Sequence, residues 1–215
     1  IMFLDADDYL YPSAADAVSQ VFEAGVAMIQ YRLHLVDANG TIIDLYPPAE
    51  VRFDTGDVRR KLVRTGRIEG TVTSGLAFSR SSLAAILPIP ADRYRIAADG
   101  YLVTTGPLQG EVRSIEQPLG AYRRHGGSSW MTSSNAAEGF RRSMLHDAEK
   151  HRDLRGHAAL QGLRTSSDPG LSDYQHLSAR FGSMLLGGSR HPMPDDSKLA
   201  LGFHGALSSL RAALP

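Results

Sequence analysis

Asp5, Asp7 and Asp8 stand in a D-x-D-D spacing directly after four apolar residues, 1–4. Carboxylates this close repel one another unless a proton or a cation relieves them. Oxygen-only donors suit a hard divalent ion such as Mg2+ or Mn2+. The same acids also suit the start of a helix, where the dipole favours negative charge. A second candidate is Asp99, in Ile96-Ala97-Ala98-Asp99-Gly100-Tyr101. Amid such small apolar neighbours it is either a helix cap or a partly desolvated general base with raised proton affinity. A third is His125, which follows Arg123 and Arg124 and precedes Gly126 and Gly127. Arginine can neutralise phosphate, imidazole can ligate a metal, and glycines let a loop close over a ligand. None of the three is specific alone.

The surrounding sequence indicates how they are held. The apolar run 1–4 reads as a buried strand, so the acids fall where a strand ends and a loop begins. That is where ligands bind in open α/β sheets. Pro12 then opens a helix with Ala14, Ala17, Val18, Val21 and Phe22 at helical spacing, stopped by Gly25. Residues 26–36 alternate, with Ala27, Ile29, Tyr31, Leu33 and Leu35 on one face and Gln30, Arg32 and His34 on the other. That pattern predicts a half-buried strand. Asn39-Gly40 then turns it into a hairpin with 41–46, displayed beside the main sheet. Helices are predicted over 55–64, 81–87 and 96–105, the first with a solvated basic face of Arg59, Arg60, Lys61 and Arg64. Strands are predicted over 75–79, 111–115 and 118–122. A polar joint at 132–134 precedes three helices, the first starting at Asn135 with a buried stripe of Phe140, Met144, Leu145 and Ala148. The second carries Tyr174, Leu177, Phe181, Met184 and Leu185, and the third spans 195–214.

Composition narrows the classes. Basic and acidic residues balance at 23 each, which removes any bulk electrostatic case for nucleic acid or an anionic membrane. The absence of cysteine excludes disulfides, thiolate catalysis and Cys-ligated zinc. No apolar run has the length of a membrane span, and no signal peptide is visible.

The order of four blocks resembles the family 2 glycosyltransferases, which have the GT-A fold. The blocks are Phe3-Leu4-Asp5-Ala6-Asp7-Asp8 with Pro12, Ser74-Gly75-Leu76-Ala77-Phe78 followed by Leu87-Pro88-Ile89-Pro90, Ala97-Ala98-Asp99-Gly100-Tyr101-Leu102, and 118–127. The resemblance covers roughly residues 1–130. It implies an inverting, metal-dependent transfer of a sugar from a nucleotide-diphosphate donor to an acceptor hydroxyl. Asp7 would hold an Mn2+ or Mg2+ ion bridging the donor diphosphate, and Asp5 would face the ribose or the metal's water shell. Asp8 would support either. Asp99 matches the general base, with Ala98 standing where the family usually has Glu. His125 would complete the metal site, and Arg123 and Arg124 would contact the diphosphate.

The implied fold class is α/β, a partial GT-A domain over 1–130 with a Rossmann-like mixed sheet, followed by a helical appendage over 131–215. The nucleotide-binding half that precedes the D-x-D strand in that family is not encoded here. The expectation is therefore a C-terminal portion of a longer enzyme that binds donor weakly by itself. The expected partners are a nucleotide-sugar donor and a saccharide, lipid-linked or protein acceptor. The expected location is the cytoplasm, where nucleotide sugars are made, with peripheral membrane contact left open. Two other readings compete. One is a catalytically silent scaffold that docks a partner through its helical tail. The other is a haloacid-dehalogenase-like phosphatase with Asp5 as nucleophile. Against the latter, Tyr9 stands in place of a small hydroxyl residue and no later paired acid is evident.

Overall fold

A computed structural model describes residues 1–124, 135–187 and 190–213. His125, the glycines after it and the polar joint at 132–134 lie outside the described residues. The chain divides into two compact units. One comprises 1–60 with 68–131, and the other 61–67 with 132–215.

The first unit is α/β, built on a mixed five-stranded sheet. Its strands are β1 (Tyr9–Leu10), β2 (Val26–Val36), β3 (Ile42–Tyr46), β4 (Leu76–Phe78) and β5 (Glu111–Arg123). The order is β1-β5-β2-β3, with β4 also paired to β2. β5 runs parallel along one edge of β2, while β4 and β3 pair antiparallel with Met28–Gln30 and Leu33–Val36. β2 is thus the central strand, where alternation predicts a half-buried hairpin arm. Val26 through Leu33 are all buried. The polar face of β2 misleads because its side chains find partners inside the protein. Gln30 Nε2 donates to the Asp54 carbonyl (2.6 Å) and to Ser114 Oγ (3.1 Å). Buried Arg32 donates to the carbonyls of Pro47, Pro48 and Val51 and to Glu116. Its guanidinium also lies 4.8 Å from the centre of the Phe53 ring. A buried charge with that many acceptors folds the 47–54 loop over the sheet.

Two apolar cores lie on the opposite faces of β2, as alternation requires. Ile29, Tyr31 and Leu33 meet α1 (Ala14–Val21) through Ala14 and Val18. Met28 meets Leu76, Phe78 and Val112, together with Leu83 and Ile86 of α3 (Arg80–Ile86) and Tyr101 and Leu102 of α4 (Asp99–Thr105).

Four local expectations change. The opening residues are an edge segment rather than a buried strand. Met2 bridges Ala77, and Ile1 and Leu4 are 56% and 49% exposed. The helix expected over 55–64 begins at Arg59 (α2, Arg59–Thr65), because the Gly56 amide and carbonyl are tied to Val112. The helix expected from Ile96 begins at Asp99, because Ala97 takes a left-handed φ of 59° that breaks the turn before it. The strands expected over 111–115 and 118–122 are one strand. Pro118 falls at a register shift against Arg32, where a missing N–H costs no ladder bond.

The second unit contains α5 (Ala136–Leu160), α6 (Tyr174–Gly187) and α7 (Lys198–Ala213). Asn135 caps α5 by accepting the Ala137 amide. The buried stripe of α5 is not the apolar one expected. Met144, Leu154 and Ala158 are buried, but so are Asp147, Lys150 and His151, while Phe140 and Leu145 are exposed. Mutual pairing makes the burial of Asp147 and Lys150 tolerable. Asp147 accepts from Lys150 Nζ and Arg67 Nη2, both at 2.9 Å, and Arg67 Nε donates to Asp173 at 2.6 Å. In α6, Leu177 is buried, whereas Tyr174 and Leu185 are exposed. Arg180 takes inward positions instead, paired with Asp168 and Asp196.

Candidate functional site

The acids of the D-x-D-D stretch form a turn. The Asp8 amide donates to the Asp5 carbonyl at 3.1 Å, and the sheet begins one residue later at Tyr9. Asp5 and Asp7 are exposed at this turn, whereas Asp8 is buried. The difference has a structural cause. Ser74, in the turn before β4, accepts the Asp5 amide with Oγ (3.0 Å) and donates its hydroxyl to Asp8 Oδ2 (2.6 Å). Asp8 Oδ1 accepts the Arg123 backbone amide at 2.8 Å. The D-x-D-D stretch therefore separates into two outward acids and one inward acid that fastens the turn to β5.

The two arginines also separate. Arg123 Nε donates to the Asp7 carbonyl (3.0 Å), and Nη1 donates to the carbonyls of Asp37 (3.3 Å) and Ala38 (2.9 Å). Its guanidinium joins the acid turn to the tip of the β2–β3 hairpin. Arg124 is anchored by its amide to the Val36 carbonyl (2.8 Å), and the residue is exposed.

Asp99 is the first residue of α4 and is partly buried. One of its carboxylate oxygens accepts the neighbouring Gly100 amide at 3.0 Å. Tyr101 holds this helix in place by donating its hydroxyl to the Ile86 carbonyl at 2.6 Å. The fold brings Asp99 within electrostatic reach of the acid turn. Neighbouring protein removes part of the water around the Asp5 carboxyl and raises it above the ordinary range, and the charges of Asp8, Asp99 and Asp7 raise it further. Burial also raises Asp8, opposed by its hydrogen bonds from Ser74 and Arg123.

Two aromatic residues without an expected role lie at the same end of the sheet. The rings of Tyr46 and Tyr122 have centroids 5.1 Å apart. The Tyr46 hydroxyl is raised by burial, then by Tyr122 and by Asp99. Nearby, the Tyr11 hydroxyl and His34 Nδ1 share a hydrogen bond of 2.6 Å. Ser74 and Tyr122 sit within sequence blocks that stand out, but their local spacing carries no sign of these long-range contacts. Among the described residues, no three acidic or histidine side chains converge to hold a metal together. No helix among the described residues is long and apolar enough to cross a membrane.

No family model matches the chain. The chain is similar to a protein of Nostoc sp. named an uncharacterized glycosyltransferase, at 29% identity over 138 residues. The match takes in 63% of this chain and 42% of that protein. The chain thus spans less than half the length of the curated relative it matches.

Proposed function

We propose that the protein carries part of an inverting, metal-dependent glycosyltransferase of family 2, with a partial GT-A domain over 1–130 and a helical appendage over 131–215. The observation that carries the reading is that Asp99, partly buried at the start of α4, lies within electrostatic reach of the Asp5 turn. An acid held apart from the metal-binding pair can serve as the base that transfer to a hydroxyl uses. The similarity to the Nostoc protein supports the same class.

Asp5 and Asp7 are hard oxygen donors, exposed and close enough to repel. That donor set fits Mg2+ or Mn2+, which are commonly held by one or two carboxylates with phosphate and water oxygens filling the remaining positions. When bound, such an ion neutralises the charge of a diphosphate leaving group. His125 is the residue that would complete this set. Asp8 keeps the turn in shape, Arg123 aligns the turn with the hairpin, and exposed Arg124 contributes positive charge toward the diphosphate.

In the transfer itself, the acceptor oxygen forms a bond to the anomeric carbon as the bond from that carbon to the diphosphate oxygen breaks. Asp99 takes the hydroxyl proton. The partners are a nucleotide-sugar donor and a hydroxyl acceptor, and the reaction belongs to the cytoplasm, where such donors are made.

The test is nucleoside diphosphate release and product formation from UDP-, GDP- and dTDP-sugars with Mn2+, using the full gene product. Asp99→Asn should cut transfer by at least about a hundredfold and leave donor binding nearly intact. Transfer at the wild-type rate by that variant would remove Asp99 from the role of base.

A further inference from the structure

We propose that Tyr46 and Tyr122 form a stacking platform for the acceptor, and that this acceptor is a saccharide. The inference rests on the glycosyl-transfer reading and narrows it. Tyr122 directly precedes Arg123, whose amide holds Asp8, so the aromatic pair borders the acid turn. Tyr46 ends β3 opposite Leu33 on β2, and Tyr122 lies opposite Leu35 of the same strand. The sheet thereby sets the two rings 5.1 Å apart at an angle of 53°. Both residues are partly buried, and Tyr122 packs against the core on the α1 side of β2.

The surroundings of the pair select the ligand. The charge of Asp99 reaches both Tyr46 and Asp5, which puts aromatic surface and carboxylates in one neighbourhood. A sugar ring has an apolar face of C–H groups and a rim of hydroxyl donors. Aromatic carbon receives the first and carboxylate oxygen the second. An alkyl chain seated here would strip water from the carboxylates and give nothing in return.

The experiment is a titration of the protein, with 13C-labelled tyrosine rings, followed by NMR. The probes are methyl β-D-glucopyranoside, lactose and N,N′-diacetylchitobiose. At least one should shift the Tyr46 and Tyr122 signals saturably while those of buried Tyr94 and Tyr101 stay fixed. Tyr46→Ala and Tyr122→Ala should each weaken binding by at least about threefold, and Tyr46→Phe should retain most of it. Unmoved Tyr46 and Tyr122 signals with all three sugars would overturn the proposal. So would a short-chain phospholipid, below its micelle concentration, that shifts the pair where the sugars do not.

A parallel titration with Mn2+ and nucleoside diphosphates, read at the amides of residues 5–8, separates this failure from failure of the broader reading. Binding there without sugar binding at the tyrosines sinks the platform and keeps glycosyl transfer. Sugar binding at the tyrosines, with no diphosphate binding at the turn and no transfer by the full gene product, keeps a saccharide site and sinks the transferase.

Discussion

The Ser74 hydroxyl donates to Asp8 Oδ2 at 2.6 Å across 66 residues of sequence, and it accepts the Asp5 amide with the same oxygen. One small side chain therefore decides which acids face outward. Removing it strands a buried carboxylate oxygen and an amide. Ser74→Ala should cost roughly 1–3 kcal/mol in urea unfolding. It should also weaken Mn2+ binding, because the turn that aims Asp5 and Asp7 loses its centre. Unchanged stability would show that Asp8 does not depend on this bond.

Arg123 and Arg124 are adjacent, yet their substitutions should act differently. The Arg123 guanidinium binds three carbonyls in a fixed fork that lysine cannot reproduce. Arg123→Lys should lower stability by about 1 kcal/mol or more. Exposed Arg124→Ala should stay within about 0.5 kcal/mol of the parent in stability. Its effect should be on donor affinity, and the loss should shrink as salt rises. Urea midpoints and donor titrations at two ionic strengths read both outcomes.

In the helical unit, His151 is buried, and among the described residues its Nε2 has no hydrogen-bond partner. Burial lowers it to about 3, with the charges of His176 and Lys150 acting the same way and those of Asp147 and Asp168 opposing. The unfolded histidine titrates near 6.5. Between those values the unfolded chain binds a proton that the folded chain excludes. The contribution of His151 is therefore complete above about pH 6.5 and is lost as pH falls toward about 3, by roughly 1.4 kcal/mol per pH unit. His151→Gln should flatten that dependence in unfolding measured from pH 7 to pH 4.5. Parallel curves for parent and variant would refute it. Asp147 does not confuse this window. Although burial raises it, Lys150, His176 and Arg67 hold it far below the ordinary carboxylate range.

Apolar rhythm made the hairpin, the β4 strand, α1 and α3 legible, since each has a clear period and a Gly, Pro or Ser boundary. The same rhythm hid the rank of β2. Gln30 and Arg32 look like a solvent face, but their partners lie on loops and strands up to 84 residues away. The error in α5 has the same origin. Asp147 falls outside the expected apolar stripe because its compensating groups, Arg67 and His176, belong to other segments. At the candidate site, residue type was legible and function within the fold was not. Nothing in D-x-D-D says that Asp8 turns inward, or in Arg-Arg that Arg123 binds carbonyls. Those assignments depend on contacts over 115 and 116 residues.

The parallel pairing of β2 with β5 also governs how the protein can be made. β2 leaves the ribosome before β5, and 74 residues separate the end of one strand from the start of the other. Until then, a strand designed for burial on both faces has the β3 arm and β4 as its sheet partners. Such non-local pairing slows folding and prolongs exposure of sticky surface. The acid turn must wait as well, since Asp8 has no amide to hold until Arg123 arrives. Assembly of the site thus waits for β5, and a chain arrested before it would present an aggregation hazard instead of a partial enzyme.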